Sequence, residues 1–494
     1  MNKLLQIEEF GKVVQVKESV VKIQGLPNVA IGELVEINGA KGIIFKFGRE
    51  FTQALVEKEF AWALMLEKAR LIKPGSLVKR LGRFFEVPVG KEFLGKAVDP
   101  LGRNLQTQTP ISTTSKRPIE NFPPEIYQRE NIRTPLETGI KIIDALFPIG
   151  RGQRELIVGD KKTGKTSIAL DMVLNQEEVI SIYVIIGQKK SELFKILKTL
   201  YDYGKTHSVI VVGAFASDSV VLQFLAPFSA MTLAEYFAIE ERKDVLVIFD
   251  DLTKHAWAWR QIALLLGMPP TREAYPADIF YLHARLLERA TNLKEGGSIT
   301  AIPICETRGG DITEYIPTNL ISITDGQLYL ENDLFQKGIK PAINIGLSVS
   351  RVGALAQRKC LKEITKGLKL ILSQHKELKK LAQFETKLSK ESQKILQRGE
   401  LLLEIFKQEK HKLVETSLQA MVYWLVLNGF LDELEVKTTK EFEEQFYEFI
   451  DSLYPKLKKD IANNGFTSKN IKTLKKAFNE FTALSPLWQK SLSS

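Results

Sequence analysis

Cysteine and histidine are scarce in this chain. Its 494 residues include 2 cysteines, Cys305 and Cys360, and 5 histidines, and no pair of them has the spacing of metal ligands. Two cysteines so far apart exclude a disulfide framework and a structural zinc site, and they fit a protein of the reducing cytoplasm. We therefore expect the histidines to lie on the surface or to pack in the core.

Long hydrophobic runs are also lacking. No uninterrupted apolar stretch approaches the roughly 18 residues that a membrane-spanning helix needs. Residues 1–10 carry acidic side chains early and have no apolar centre, so they do not resemble a signal peptide. We expect any association with a membrane to run through partner proteins.

The charge balance is basic, with a formal net charge of +10. Much of the excess lies in lysine pairs after residue 360, such as Lys379-Lys380 and Lys475-Lys476. Lysines in predicted amphipathic helices are more typical of solvated helix faces than of a nucleic-acid or membrane surface. The length of the chain predicts two or three domains.

Three patterns follow one another along the chain. Short β-branched runs separated by glycine, proline and Asn-Gly predict a small β-barrel at the N-terminus, and the next stretch, to about residue 138, favours turns and extended chain. From Gly139 strands alternate with helices, which is typical of an α/β fold with a mainly parallel sheet. After residue 360 only amphipathic helices are indicated. We predict a barrel at 1–73, a nucleotide-binding P-loop domain at 74–360 and a helical domain at 361–494.

The predicted elements of the second and third domains have definite positions. Strands are expected at 155–158, 181–186, 208–212, 244–250 and 298–304, and helices at 166–175, 191–203, 220–240, 255–266 and 279–293. The C-terminal helices are expected at 361–383, 389–407, 412–428, 440–453 and 471–481.

One motif dominates the α/β region. The run Gly159-Asp160-Lys161-Lys162-Thr163-Gly164-Lys165-Thr166 has the spelling G-x-x-x-x-G-K-[ST], with a strand before it and a helix after it. In this context backbone N–H groups and the helix N-terminus bind phosphates. Lys165 is then expected to reach the β- and γ-phosphates of ATP, or the β-phosphate of ADP, and the hydroxyl of Thr166 is expected to ligate Mg²⁺.

Two further strand ends bear on the chemistry of this motif. The apolar run 245–249 ends in Asp250, which we predict to help hold the Mg²⁺ through its water shell. The strand beside the phosphate loop ends near Gln188, where hydrolysis would need a group that polarises water. Because glutamine cannot act as a carboxylate base, we predict a site that binds nucleotide well and hydrolyses it poorly.

An arginine follows another β-type run. Residues 342–349 are predicted as a strand that aims Arg351 outward from the edge of the sheet. From spacing alone, Arg351 is either an ordinary surface or ion-pair residue or an arginine finger for a neighbour's γ-phosphate. The fold alone is also compatible with a hexameric nucleic-acid translocase. That function requires basic and aromatic residues in the barrel or pore, whereas the barrel is Val- and Ile-rich with mixed charge, which argues against it.

Taken together, the residues closely resemble the alpha subunit of the rotary F-type ATP synthase. The resemblance covers nearly the whole chain from about Gly11. It rests on the runs 147–160, 163–166, 250–254, 272–276, 281–290, 316–327 and 340–353.

The resemblance implies a fold, partners and roles. It implies a P-loop (RecA-like) α/β core with an N-terminal β-barrel and a C-terminal helical domain, and three such chains alternating with three catalytic beta subunits around a gamma shaft. The complex would lie at the cytoplasmic face of the cell membrane and would bind no nucleic acid. It further implies a non-catalytic Mg-ATP site. In that site Lys161 and Lys162 flank the phosphates, and Lys340, Pro341 and Gln408 grip adenine and ribose. Ser322, Val349 and Arg351 would face the catalytic site of the beta subunit, with Arg351 as its arginine finger.

The sequence also departs from the family pattern. Lys340 stands where the family usually has arginine, Lys410 where a second glutamine is common, and Lys161-Lys162 where Arg-Gln is usual. The β-type sequence begins almost at once, so the N-terminal helical extension that meets the peripheral stalk is expected to be largely missing. The lysine substitutions bear on the affinity for nucleotide and not on the location of the site. A chain that lacks the extension is compatible with a divergent rotary ATPase, a type that some wall-less bacteria carry and that is in some cases tied to gliding motility.

Overall fold

The computed structural model of this chain describes residues 9–51, 57–67, 72–381 and 389–485. The expectation about the N-terminal extension concerns residues that lie largely outside these ranges. The last two residues of the helix predicted at 361–383 also lie outside them. The strands are β1 Phe10–Lys17, β2 Val20–Gln24, β3 Glu33–Ile37, β4 Ala40–Phe51, β5 Glu57–Met65, β6 Leu77–Phe84, β7 Glu86–Val89, β8 Ala97–Val98, β9 Ser115–Pro118, β10 Pro135–Leu136, β11 Ile149–Gly150, β12 Leu156–Asp160, β13 Ile180–Gln188, β14 Val209–Phe215, β15 Val245–Asp250, β16 Ile299–Thr307, β17 Gly326–Leu330 and β18 Val349–Ser350.

The helices follow the strands in the α/β region and then continue alone. They are α1 Lys141–Leu146, α2 Lys165–Leu174, α3 Lys190–Asp202, α4 Val220–Glu235, α5 Leu252–Leu265, α6 Ile279–Leu287, α7 Tyr315–Ile323, α8 Asn332–Gln336, α9 Lys359–Leu381, α10 Lys390–Ile405, α11 Thr416–Leu427, α12 Thr439–Leu453, α13 Pro455–Asn464 and α14 Ser468–Leu484.

By compactness the chain divides into two units, each made of separate stretches. The first comprises Met1–Glu130, Glu178–Glu306 and Ile312–Thr324, and the second comprises Asn131–Glu177, Thr307–Asp311 and Asp325–Ser494. This division does not test the three predicted domains, which stay a prediction.

The first unit contains the predicted barrel and a parallel sheet. β1 to β6 close in the order β1-β2-β5-β4-β3-β6, around a core of β-branched side chains such as Val21, Val35 and Ile44. The closing strand, β6, lies beyond residue 73. The parallel sheet has the order β16-β15-β13-β14-β8, and its strands are buried almost throughout. Such strands need covering on both faces, and α4 packs on β13, β14 and β15.

One helix of the first unit qualifies, by length and composition, as a membrane span. It is Val220–Glu240, which joins α4 to the π-helical turn that follows it. Of its most apolar window, 78% is buried inside the protein, and its polar side chains are bonded: the Ser229 hydroxyl donates to the Pro100 carbonyl at 2.7 Å. It is therefore a core helix. A search for uninterrupted apolar runs does not detect it because polar residues interrupt its apolar sequence.

The second unit contains the phosphate loop and the C-terminal helices. β12 pairs with β17 in parallel, β17 pairs with β18 antiparallel, and β10 pairs with β11. After residue 359 the described chain contains helices joined by loops and no strand, and the apolar sides of α9 to α14 face one another around Leu401, Met421 and Phe446. The sequence patterns predicted most of these helices within a few residues but missed α13. In the first unit they extended α6 to residue 293, whereas it ends at Leu287.

Candidate nucleotide-binding site

The phosphate loop joins β12 to α2 in the second unit. α2 begins at Lys165 with Gly164 as its N-cap residue, at a φ of 99° that favours glycine, and no described side chain caps it. The first N–H groups of a helix have no partner inside the helix, and their partial positive charge attracts anions. The start of α2 can therefore bind phosphate oxygens.

A polar brace holds the loop from outside. Oδ1 of Asp160 accepts hydrogen bonds from the Thr307 hydroxyl at 2.6 Å and from the Gly310 N–H at 2.9 Å. The Tyr329 hydroxyl in turn donates to the Gly310 carbonyl at 2.9 Å. A Cβ at Gly159 would lie 2.4 Å from the Leu330 carbonyl oxygen, so only glycine fits there. The sequence patterns did not single out Thr307, Gly310 or Tyr329, because none of them belongs to the motif.

The lysine of the motif points back into its own loop. Lys165 is buried, and its ammonium donates to the carbonyls of Gly159 at 2.8 Å and Asp160 at 2.5 Å. The Thr163 hydroxyl also donates to the Asp160 carbonyl, at 2.8 Å. The loop backbone thus places the ammonium where phosphate oxygens would approach. Lys161 and Lys162 are exposed beside it.

The residues expected at the base and ribose also meet in the second unit. The Gln408 N–H donates to the Lys340 carbonyl at 2.6 Å, and the Lys340 ammonium lies 4.9 Å from the ring centroid of Phe335. The side-chain amide of Gln408 accepts from the Lys141 N–H at 2.9 Å and donates to the Gly139 carbonyl at 2.8 Å. Gln408 is therefore tied to the start of α1, and Phe335 is an aromatic contact that the sequence patterns did not indicate.

Gln188 and Asp250 come together in the first unit, at the ends of the neighbouring strands β13 and β15. The Asp250 carboxylate is buried and accepts a hydrogen bond from the Tyr183 hydroxyl at 2.7 Å. The Gln188 side-chain amide donates to the Asp250 backbone carbonyl at 2.9 Å. The carboxylate is rigidly held, as expected for a residue near a metal, and the Gln188 amide has no basic oxygen to accept a proton.

Further acidic groups follow Asp250. The Lys254 ammonium contacts the Asp251 carboxylate and lies 3.2 Å from Oε1 of Glu306. Burial raises the pKa of Asp251 to about 6 against the effect of Lys254, while Glu306 and Asp250 raise it further. One ammonium among three carboxylates leaves an excess of negative charge, which favours a cation.

The segment before Arg351 differs from the predicted strand. Residues 345–347 form a turn in which Oδ1 of Asn344 accepts from the N–H groups of Gly346 at 2.8 Å and Leu347 at 3.0 Å. The turn separates β18 from Ile343, which makes an isolated β-bridge with Leu330. The prediction of one continuous strand was wrong because the apolar alternation concealed an asparagine-centred turn. Arg351 follows β18 with an exposed side chain, and Val349 is also exposed.

The base of β18 is braced by buried polar groups. The Gln153 amide donates to Glu155 at 2.7 Å and to the Ser350 hydroxyl at 3.1 Å, and that hydroxyl donates to the Pro148 carbonyl at 2.6 Å. Burial raises the pKa of Glu155 well above its ordinary value, and the charge of Arg351 partly opposes this. The backbone under Arg351 is thus fixed even though its side chain is exposed.

Ser322 belongs to the first unit, whereas Val349 and Arg351 belong to the second. Its hydroxyl donates to the Thr318 carbonyl one turn earlier in α7, at 3.0 Å, and the side chain is exposed. The grouping of these three residues at one catalytic site stays a prediction.

Two family models match the chain. One, described as the ATP synthase alpha/beta family, nucleotide-binding domain, covers residues 139–350, and the other, the C-terminal domain of ATP synthase alpha/beta chains, covers residues 357–481. A protein named ATP synthase subunit alpha from Dehalococcoides mccartyi is 45% identical over 493 residues, which span 96% of both chains. A protein of the same name from Caldanaerobacter subterraneus is 45% identical over 484 residues, which span 97% of this chain and 94% of the relative.

Proposed function

Because the chain belongs to the family of F-type ATP synthase alpha subunits, we propose that its own site binds Mg-ATP without turning it over. The observation that carries this proposal is a complete phosphate loop in a chain whose Gln188 amide is held on the Asp250 carbonyl at 2.9 Å. Hydrolysis needs a group that positions or deprotonates the attacking water, and an amide engaged in this way supplies no base.

The nucleotide contacts follow from the loop. Lys165 and the N–H groups at the start of α2 bind the phosphates of ATP or ADP, and the exposed Lys161 and Lys162 add positive charge beside them. Lys340, Pro341 and Gln408 hold the adenine and ribose. Lysine at 340 gives a point charge in place of a planar guanidinium, so we expect weaker stacking on the base than arginine would give.

The donor set suits Mg²⁺. Hard divalent cations prefer oxygen ligands, and the Thr166 hydroxyl and the Asp250 carboxylate are of that kind. The described residues contain no cluster of three or more His, Cys, Asp or Glu side chains that would hold a metal alone. The ion would therefore share its coordination with phosphate oxygens and water, and it would neutralise phosphate charge when bound.

We propose further that three copies alternate with three catalytic beta subunits around a gamma shaft. The head would lie on the cytoplasmic face of the membrane, attached through other subunits, and its ATP chemistry would be coupled to proton transport. Similarity to relatives named ATP synthase subunit alpha favours this over the nucleic-acid translocase and over a motility function.

A binding and turnover experiment on the full-length chain tests the proposal. We expect the purified chain to bind Mg-ATP in a calorimetric titration and to release no phosphate over many equivalents. Lys165→Ala should lose binding, whereas Lys198→Ala, which removes an exposed lysine of α3, should keep it. Multiple-turnover hydrolysis that disappears in Lys165→Ala would contradict the proposal.

A further inference from the structure

A cavity of about 720 Å³ lies in the second unit, apart from the phosphate loop. It is bounded by the end of α1, the turn before β18, and helices α9 and α10. Its volume is in the range of small-molecule sites, which is about 300–1,000 Å³. The residues that line it are Leu146, Phe147, Ile345, Gly346, Ser348, Lys369, Leu372, Ser373, His375, Lys376, Lys379, Lys380 and Leu403.

The lining has two chemically distinct sides. One is apolar and includes Leu146, Phe147 and Leu403, of which the first two are almost fully buried. The other is a row of lysines on one face of α9, which we call the lysine row: Lys369, Lys376, Lys379 and Lys380. Lys369, Lys376 and Lys380 are separated by seven and four residues, so they share one side of the helix over about 16 Å, and Lys379 lies beside them.

The charge of the lysine row is not balanced locally. No Asp or Glu is among the residues that line the cavity, and none of the four lysines has an ion pair with another residue of the described ranges. All four lysines are exposed, so water and salt screen the repulsion between their ammonium groups, and their flexible side chains can turn toward an anion in the cavity. A bound anion would relieve this repulsion.

The back of the cavity is rigid. His375 is buried, and α10 approaches it so closely that a Cβ at Gly399 would lie 2.5 Å from its ring. Burial lowers the pKa of His375, Lys379 lowers it further, and Glu400 opposes the shift. The ring is therefore neutral near pH 7, and the lysine row carries the positive charge.

From this geometry we propose that the cavity binds an amphipathic organic anion, with an apolar body against Leu146, Phe147 and Leu403 and a phosphate, sulfonate or carboxylate group on the lysine row. A purely inorganic anion would leave the apolar wall exposed to water, and a neutral apolar molecule would leave the ammonium groups unpaired. Only a ligand with both parts satisfies the two sides of the cavity.

Octyl phosphate is the probe, and it is titrated into the full-length chain with saturating Mg-ATP present so that the phosphate loop is occupied. We expect saturable binding that is at least about tenfold tighter than that of octanol or inorganic phosphate. The charge variant Lys369→Gln with Lys376→Gln should weaken it at least about tenfold. The control Lys362→Gln with Lys366→Gln removes the same charge from exposed positions of α9 that do not line the cavity, and should change affinity less than about twofold.

A steric variant tests the position independently of charge. Gly346 lines the cavity and is exposed, and a Cβ at this position would lie 3.4 Å from Oδ1 of Asn344 and 3.9 Å from the Lys376 ammonium. Gly346→Leu therefore fits the backbone and projects into the cavity. We expect it to block octyl phosphate while leaving Mg-ATP binding intact. Equal losses in the two lysine pairs, unchanged binding in Gly346→Leu, or binding of octyl phosphate only when Mg-ATP is left out would each overturn the proposal.

Discussion

At the residue scale, the phosphate loop depends on side chains outside its own motif. Thr307 and Gly310 both bond Oδ1 of Asp160, at 2.6 and 2.9 Å, and Asp160 follows Gly159 in the tightest part of the loop. A hydrogen bond to a charged acceptor contributes about 1.5–3 kcal/mol. The loop conformation that presents Lys165 is therefore expected to depend on Thr307.

We predict that Thr307→Val weakens Mg-ATP binding by about tenfold or more. Valine keeps the shape of the buried side chain and removes only the hydroxyl, so the loss reports the bond to Asp160 rather than a cavity. Calorimetric titration measures the affinity. Thr318→Val, which removes an exposed hydroxyl that bonds only within α7 and the turn before it, is the control. Wild-type affinity in Thr307→Val would show that Gly310 alone holds the loop.

A buried histidine pair in the first unit gives a pH prediction. Nε2 of His255 lies 3.0 Å from the Phe224 carbonyl and Nδ1 lies 3.3 Å from Nε2 of His283. Burial lowers the pKa of His255 to about 4, against the bond to Phe224, and Arg285 lowers it further. Below pH 6.5 the unfolded chain binds a proton at His255 that the folded chain does not bind until about pH 4.

The free energy of unfolding should therefore fall as the pH drops from 6.5 to 4, by about 1.4 kcal/mol per unit and about 3 kcal/mol in all from this group. We predict that His255→Gln, which cannot titrate, removes this share of the pH dependence although it lowers stability at pH 7. Urea titrations at pH 7.5, 6.0 and 5.0 measure it. His207→Gln, at an exposed position, should keep the full dependence. A slope unchanged in His255→Gln would refute the assignment.

At the scale of elements, α4 is fixed to the segment after α6 by a buried ion pair. The Arg289 guanidinium donates to Glu235 at 2.6 and 2.8 Å, to the Thr232 hydroxyl at 3.0 Å and to the Ile119 carbonyl at 3.0 Å. The two charged side chains are 1% and 5% exposed. Removing Arg289 leaves the buried Glu235 carboxylate without an opposing charge, although Asn121 still donates to it at 2.6 Å, and breaking a buried pair in this way costs about 3–5 kcal/mol.

We predict that Arg289→Met destabilises the first unit by about 3–5 kcal/mol, as measured by denaturant unfolding. Arg49→Met is the control, because Arg49 pairs with Glu59 at the surface, where the two side chains are 66% and 68% exposed, and exposed pairs contribute less than about 1 kcal/mol. The double variant Arg289→Met with Glu235→Leu should recover at least half of the loss. A double variant no more stable than Arg289→Met would show that the loss of stability comes from the lost guanidinium hydrogen bonds and not from the buried charge of Glu235.

The elements that the sequence predicted best are those with a strong period and a clear end. β12, β15 and α2 matched because a buried apolar run, a terminal acid and a glycine loop mark them. α13 was missed because Pro455, one residue beyond the N-cap Tyr454, resembles a helix stop, although proline is favoured in a first helical turn. The turn at Asn344 was missed because its cause is a side chain bonding its own backbone, which hydrophobic alternation does not reveal.

The site was predictable to a similar extent. The motif correctly placed Lys165 and Thr166 at the start of a helix, and the apolar runs correctly placed Asp250 and Gln188 at strand ends, because those positions follow from local sequence; the roles of these residues stay predictions. Thr307, Phe335 and Glu306 were not found, since their roles arise from residues that are far apart in the chain. The hydrogen bond of Gln188 to the Asp250 carbonyl likewise required coordinates.

At the scale of the whole molecule, the exposed Arg351 bears on the proposed assembly with beta subunits. Its N–H donates to the Asp325 carbonyl at 2.9 Å, and Asp325 is itself held by Arg154 through bonds of 2.8 and 3.1 Å. A Cβ at Gly326 would lie 2.3 Å from the Val349 carbonyl, so β17 and β18 pack tightly below the arginine. The backbone is rigid and the guanidinium is presented outward, as a residue acting in a neighbour's site requires.

We predict that Arg351→Ala leaves ring assembly and nucleotide binding to this chain's own site intact but cuts hydrolysis by the alpha/beta complex by about 10³–10⁵, the range for an arginine finger supplied in trans. The physical reason is that charge builds on the γ-phosphoryl oxygens in the transition state and a planar guanidinium stabilises it. Arg351→Lys should rescue poorly, because an ammonium lacks the fork of donors. Steady-state ATPase of the reconstituted complex measures turnover, and bound nucleotide is counted separately. Arg83→Ala, at an exposed position of β6, controls for loss of a surface arginine. Wild-type turnover in an assembled Arg351→Ala complex would mean that this arginine is only a surface residue.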